Sequence, residues 1–202
     1  MENWRDNITP EDVRGRSDAA KTLETNPEAA LKIARAIRHP WYRCQAIAGV
    51  AAAQRSIPKR IALLEESLAA AFEQSEPNRI VSVAFWPVRQ MVIGKLPIAS
   101  EAVDRLLSTI RNEAHGLRKV DGIAALLKAV LPDVALRTLV LNSFSRAAAE
   151  SAGWRTERIV ADCALALAEH DVEAATKLVE SRPENRFSSR AKEEIQKRSQ
   201  LA

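Results

Sequence analysis

Apolar residues return along this chain every three to four positions, in segments separated by prolines, glycines and polar pairs. Ala30, Ile33, Ala34 and Ile37 make one stripe, and Ile61, Leu64, Leu68 and Phe72 a second; Val103, Leu106, Leu107 and Ile110 make a third, and Leu136, Val140 and Phe144 a fourth. That period places each set on one side of an α-helix rather than of a strand. Pro10, Pro27, Pro40, Pro58, Pro77, Pro132 and Pro183 each precede a periodic segment. They read as helix starts, because a proline in the first turn gives up no hydrogen bond. Thr9-Pro10-Glu11-Asp12 adds a capping hydroxyl and two first-turn acids, and Asn26-Pro27-Glu28 repeats the scheme. With Pro97, Gly116, Gly153 and the Glu169-His170 pair as further boundaries, the pattern predicts eleven helices, over 10–24, 27–38, 40–54, 58–74, 77–94, 99–114, 117–130, 132–150, 153–169, 171–181 and 184–199. Pro87 falls inside the fifth, where it should remove one backbone bond and bend the element.

A longer period runs through these helices. WYRCQAIAGVA from Trp41 aligns with WRTERIVADCA from Trp154: both open with Trp and carry Ala at the eighth and last places. The same frame fits RIVSVAFWPVR from Arg79, RKVDGIAALLK from Arg118 and, more loosely, FSSRAKEEIQK from Phe187. The starts are 38, 39, 36 and 33 residues apart, the length of a helix pair. Each segment follows a helix richer in Ala and Leu, so the unit is a first helix, a tight corner, and a second helix opening with Trp or Arg.

This pattern resembles the α/α repeats of HEAT and TPR-like proteins, over residues 10–199. The TPR consensus spacing of Trp, Leu, Gly and Tyr is missing, and a period of about 37 is a little short for HEAT units. The resemblance implies an all-α, right-handed superhelical solenoid of about five helix-turn-helix repeats, roughly 27–57, 58–97, 98–131, 132–169 and 170–199. An extra helix and a tail over 1–9 precede them, in one domain. Phe187, Ala191 and Ile195 leave the last helix only a narrow stripe among charges, as expected of a polar cap.

Composition agrees with helices: 47% hydrophobic and rich in Ala and Leu, with 6 Gly and 4% aromatic residues in 202. Thirty basic residues against 26 acidic ones leave a net charge of +4, far from a polybasic tail. The start of the chain lacks a basic stretch followed by an apolar one, and the longest apolar run, Ala46 to Ala53, is too short to span a bilayer. Two well-separated cysteines in apolar stretches fit a reduced compartment. The expectation is a cytoplasmic chain without a membrane segment.

No metal, cofactor or catalytic signature emerges. His39 and His115 fall at equivalent corners two repeats apart and His170 at the opposite edge, too dispersed for a metal site or acid–base pair. Cys44 and Cys163 lie three repeats apart and read as small buried hydrophobes rather than a nucleophile or disulfide. Glu65-Glu66 and Glu193-Glu194 are helix neighbours pointing in different directions. There is no glycine-rich phosphate loop, His-Glu-x-x-His helix or nucleophile elbow. The chain is therefore read as a non-enzyme.

Arginines carry more information. Arg43, Arg79, Arg118, Arg155, Arg158, Arg186 and Arg190 sit in the opening turns of second helices, where a cation opposes the helix dipole. They could form a basic ridge for nucleic-acid phosphates or an acidic protein. Alternatively, Glu76, Glu113, Glu150 and Glu184, two to five residues earlier, could pair with them in an Arg–Glu ladder. The first repeat stands out, because Arg35, Arg38, His39, Trp41 and Arg43 cluster with no acid after Glu28. This basic aromatic corner is the candidate partner-binding site. The leading expectation is an interaction module or scaffold that binds a protein or peptide on one solenoid face. Nucleic-acid binding is the alternative, by fold-level analogy with HEAT-like DNA glycosylases, and a dedicated inhibitor or assembly subunit is a third reading.

Overall fold

The computed structural model describes residues 8–201, with side chains over 8–198; the expected tail lies outside these residues over 1–7. Eleven helices and no strand occur among them: α1 Pro10–Leu23, α2 Pro27–Ala36, α3 Pro40–Ala52, α4 Ile57–Phe72, α5 Pro77–Ile93, α6 Ala99–Arg111, α7 Gly116–Val130, α8 Val134–Ala149, α9 Trp154–Leu167, α10 Val172–Glu180 and α11 Arg186–Leu201.

Local chemistry sets the boundaries. Thr9 caps α1 in a capping box closed by Asp12, and Asn26, Asp133 and Asp171 accept first-turn amides of α2, α8 and α10. Pro10, Pro27, Pro40 and Pro77 are first helical residues, and Pro58 is the second of its helix. Pro132 and Pro183 instead lie in the preceding turns. There Asp133 caps α8, and the Asn185 side chain accepts the amides of Phe187 and Ser188. Before α9, Gly153 takes a φ of 108°, a conformation closed to most L-residues.

Contacts between helices follow a simple rule. Each odd-numbered helix packs on the next odd one, from α1 through α11, whereas the even-numbered helices hardly touch one another, α6 and α8 excepted. An odd helix therefore has neighbours on several sides, and α3 buries Cys44, Ala46, Ile47, Ala48, Val50 and Ala51 almost without interruption. Even helices bury a single stripe, as Val103, Leu106 and Ile110 do in α6. Leu64, Phe144, Met91, Leu126, Leu127 and Leu167 are among the largest side chains wholly inside.

Helices α5 and α7 pack on each other most extensively, and Gly122 of α7 faces Asn78 of α5 there. A Cβ there would meet Ile110 Cδ1 at 2.9 Å and the Asn78 backbone at 3.3 Å. Helix α5 continues through Pro87. Proline has no N–H to donate, so the carbonyl four residues back, on Val83, loses its helical partner. The Cys44 thiol of α3 reaches that carbonyl at 3.6 Å, and Ser67 of α4 donates to the Cys44 carbonyl at 2.8 Å. One helix defect is thus bridged by its neighbour.

Candidate functional site

The five residues of the expected basic corner do come together where α2 meets α3, but they are not unpaired. Arg35 donates from Nε and Nη2 to Glu66 at 2.8 and 2.7 Å. Arg43 pairs with Glu73 and also donates to the carbonyls of Ile37 at 3.2 Å and Arg38 at 3.0 Å. His39 is buried, its Nδ1 accepting the Trp41 amide at 3.3 Å as the cap of α3, its ring edge-on to Tyr42. Trp41 is half-buried against the core. Arg38 is exposed at its side chain, but its amide and that of His39 donate to Asp12 Oδ1 at 3.1 and 2.9 Å. The expectation of a corner without acids is therefore corrected: its acids arrive from α1, from α4 and from Glu73 just past the end of α4.

Asp12 is the structural keystone of this corner. Burial alone would raise its carboxyl pKa, but the amides of His39 and Thr9 and the Thr9 hydroxyl more than offset that and hold it below the ordinary 3.8.

Among the described residues, the Arg–Glu ladder forms at one of the four acids, Glu76. Glu76, the residue before α5, pairs with Arg79 in the first turn of that helix at 2.8 Å and with Arg118 of α7 at 3.2 Å, tying α5 to α7. Glu113 is buried and accepts the His115 amide at 3.0 Å instead. Arg155 lies over the Trp154 ring at 5.3 Å, and Arg158 faces Asp162 within α9 at 3.9 Å. The second histidine of the equivalent pair, His115, caps α7 through Nδ1, 3.4 Å from the Arg118 amide. Cys44 and Cys163 are both buried, and burial pushes each thiol up to about 12, so neither is a nucleophile at neutral pH. Among the described residues, no group of three or more His, Cys, Asp and Glu is placed to hold a metal ion, and no helix is long and apolar enough to cross a membrane.

A different surface retains unsatisfied capacity. Between α1, α3 and α5 lies a groove of about 350 Å³. Its floor is made of small residues, Ala20, Ala46 and Gly49, and Trp86 stands beside it, 42% exposed. Arg16 crosses one end, donating to Gln45 Oε1 at 3.1 Å. A Cβ on Gly49 would meet nothing within 4 Å. The sequence carried a signal for Trp86 that the charge pattern overshadowed. Trp86 fills the eighth place of the repeat, where three other repeats have Ala48, Ala125 and Ala161.

Compared with protein families, with curated proteins and with solved structures, the chain matches none.

Proposed function

We propose that the chain is a short α-solenoid of about five helix pairs behind an extra first helix, and that it binds a protein or peptide on its odd-helix face without catalysis. Unbroken packing of odd helices beside nearly separate even ones supports the solenoid, since a double layer tighter on one side curves towards that side. A curved stack of this kind offers an extended surface to a partner.

The observation that carries the binding reading is that Gly49 and the exposed Trp86 line one groove. A glycine inside a helix costs about 1 kcal/mol relative to alanine, yet no neighbour in the chain requires its small size. A partner that lies against the α3 backbone does require it. Trp86 supplies the large, rigid anchor typical of interface centres. Phosphate binding along the corners has less support, because Arg35, Arg43, Arg79 and Arg118 are already paired with glutamates.

A nuclease-treated pull-down from the native host tests this reading. Wild-type protein is expected to recover one stoichiometric partner, and Gly49→Gln, whose Cβ meets no neighbour and whose longer side chain enters the groove, is expected to lose it while remaining folded by circular dichroism. Equal recovery by both proteins, or recovery only when nucleic acid is left intact, would overturn the proposal.

A further inference from the structure

At the far end of the chain the opening turns of α9 and α11 lie side by side, and a second pocket of about 620 Å³ opens between them. Trp154, Pro183 and Phe187 form its apolar walls. Trp154 is 56% exposed, the most exposed aromatic side chain among the described residues. The one acid in the wall, Glu157, is fully engaged: Arg182 pairs with it, and Asn185 Nδ2 lies 3.4 Å from its Oε2. Arg182 is itself held by the carbonyls of Ala148 at 2.6 Å and Ser151 at 3.1 Å. Among the lining residues the charge left uncommitted is basic, that of Arg186. Arg155 lies over Trp154 at 5.3 Å and Arg186 over Phe187 at 4.7 Å. Arg190, one turn after Arg186, is exposed as well. None of the three forms an ion pair among the described residues.

We propose that this pocket binds an acidic linear peptide segment, taking an aromatic or large aliphatic side chain between Trp154 and Phe187 while flanking carboxylates pair with Arg155 and Arg186. A guanidinium that lies over a ring keeps N–H groups free for a carboxylate, which it can grip through two parallel hydrogen bonds. The volume is that of a small-ligand pocket, large enough for one bulky side chain and part of the backbone beside it.

Charge distribution favours a peptide over nucleic acid. A nucleic-acid strand gains affinity from a run of phosphate contacts, but the basic track does not continue along the chain: at the next corners Arg118 and Arg79 share Glu76, and Arg43 is held by Glu73. One cation in the lining of an apolar pocket, Arg186, with Arg155 and Arg190 exposed close by in sequence, suits a short acidic motif. The site is separate from the groove beside Trp86, so either can fail without the other.

Panning a phage-displayed random peptide library against the full-length protein tests the assignment. The expected result is enrichment of sequences with an aromatic residue flanked by Asp or Glu. A fluorescent peptide of the enriched consensus should then bind the double variant Arg155→Glu/Arg186→Glu about a hundredfold more weakly, at roughly tenfold per lost charge-assisted pair. Trp154→Ala should weaken it about tenfold, and Gly49→Gln should leave it unchanged. A peptide with its acids replaced by lysine should bind the double variant better than the wild type. Both arginines are exposed, and far-UV circular dichroism checks that the variants remain folded. No enrichment, enrichment without acidic residues, affinity indifferent to the double charge reversal, or displacement of the peptide by oligouridylate at lower concentration than by unlabelled peptide would each overturn it.

Discussion

Two glycines inside helices make a sharp test of the packing, because the same substitution should shift stability in opposite directions. Gly49 lies in the last turn of α3 and Gly122 near the middle of α7. At either site alanine removes backbone freedom from the unfolded chain and raises helix propensity, a gain of up to about 1 kcal/mol. At Gly49 nothing opposes that gain, since the new methyl meets no atom within 4 Å. Gly49→Ala should therefore stabilise the protein by about 0.5–1 kcal/mol, which for a domain of this size is a rise in Tm of about 2–4 °C per kcal/mol. At Gly122 the methyl would press on Ile110 Cδ1 at 2.9 Å and on the Asn78 backbone at 3.3 Å. Ile110 can rotate away, but the Asn78 main chain belongs to α5 and moves only with that helix. Overpacking of this kind costs about 1–3 kcal/mol, so Gly122→Ala should be destabilising by about 1 kcal/mol net. Urea unfolding followed by circular dichroism measures both. A loss of stability in Gly49→Ala would mean that α3 is more crowded at Gly49 than described. A gain in Gly122→Ala would mean that the α5–α7 crossing is looser.

Two further outcomes follow from groups buried in the core. Cys44→Ala leaves the Val83 carbonyl, already without a helical partner because of Pro87, with no donor, and should lose about 1–3 kcal/mol. Cys44→Ser keeps a hydroxyl donor and should lose less, and an equal loss in both variants would refute the bridging role. The wild-type thiols, held at about 12 by burial, should resist a thiol-specific reagent at neutral pH until denaturant is added. For Asp12 the folded pKa lies below the ordinary 3.8, so its stabilisation is present above that value and is lost as pH falls through the folded pKa. The stability difference between wild type and Asp12→Asn should accordingly be largest at neutral pH and shrink below about pH 4. A difference that stays constant into acid would show that the charge on Asp12 does not hold the corner.

What was legible in the sequence was whatever a few adjacent residues decide. Capping side chains and first-turn prolines act on amides within one turn, so eleven helices could be placed from spacing alone, and the stripes Val103/Leu106/Ile110 and Leu136/Val140/Phe144 are buried as their period requires. Pairing of charges was not legible, because Glu66, Glu73 and Asp12 reach the Arg35–Arg43 corner from positions about 26–31 residues away in sequence. A basic cluster with no acid nearby in the chain is not thereby unpaired in space, and in a repeat architecture the neighbouring repeat is where its counter-charge should be sought. The glycines show the same limit from the other side. Gly49 and Gly122 break the same propensity rule, and only the packing reveals that one makes room for a neighbouring helix of its own chain and the other for nothing in it. Gly122 is explained by the helix that crosses it, whereas for Gly49 the contact proposed above, a partner lying against α3, is the reason offered for its small size.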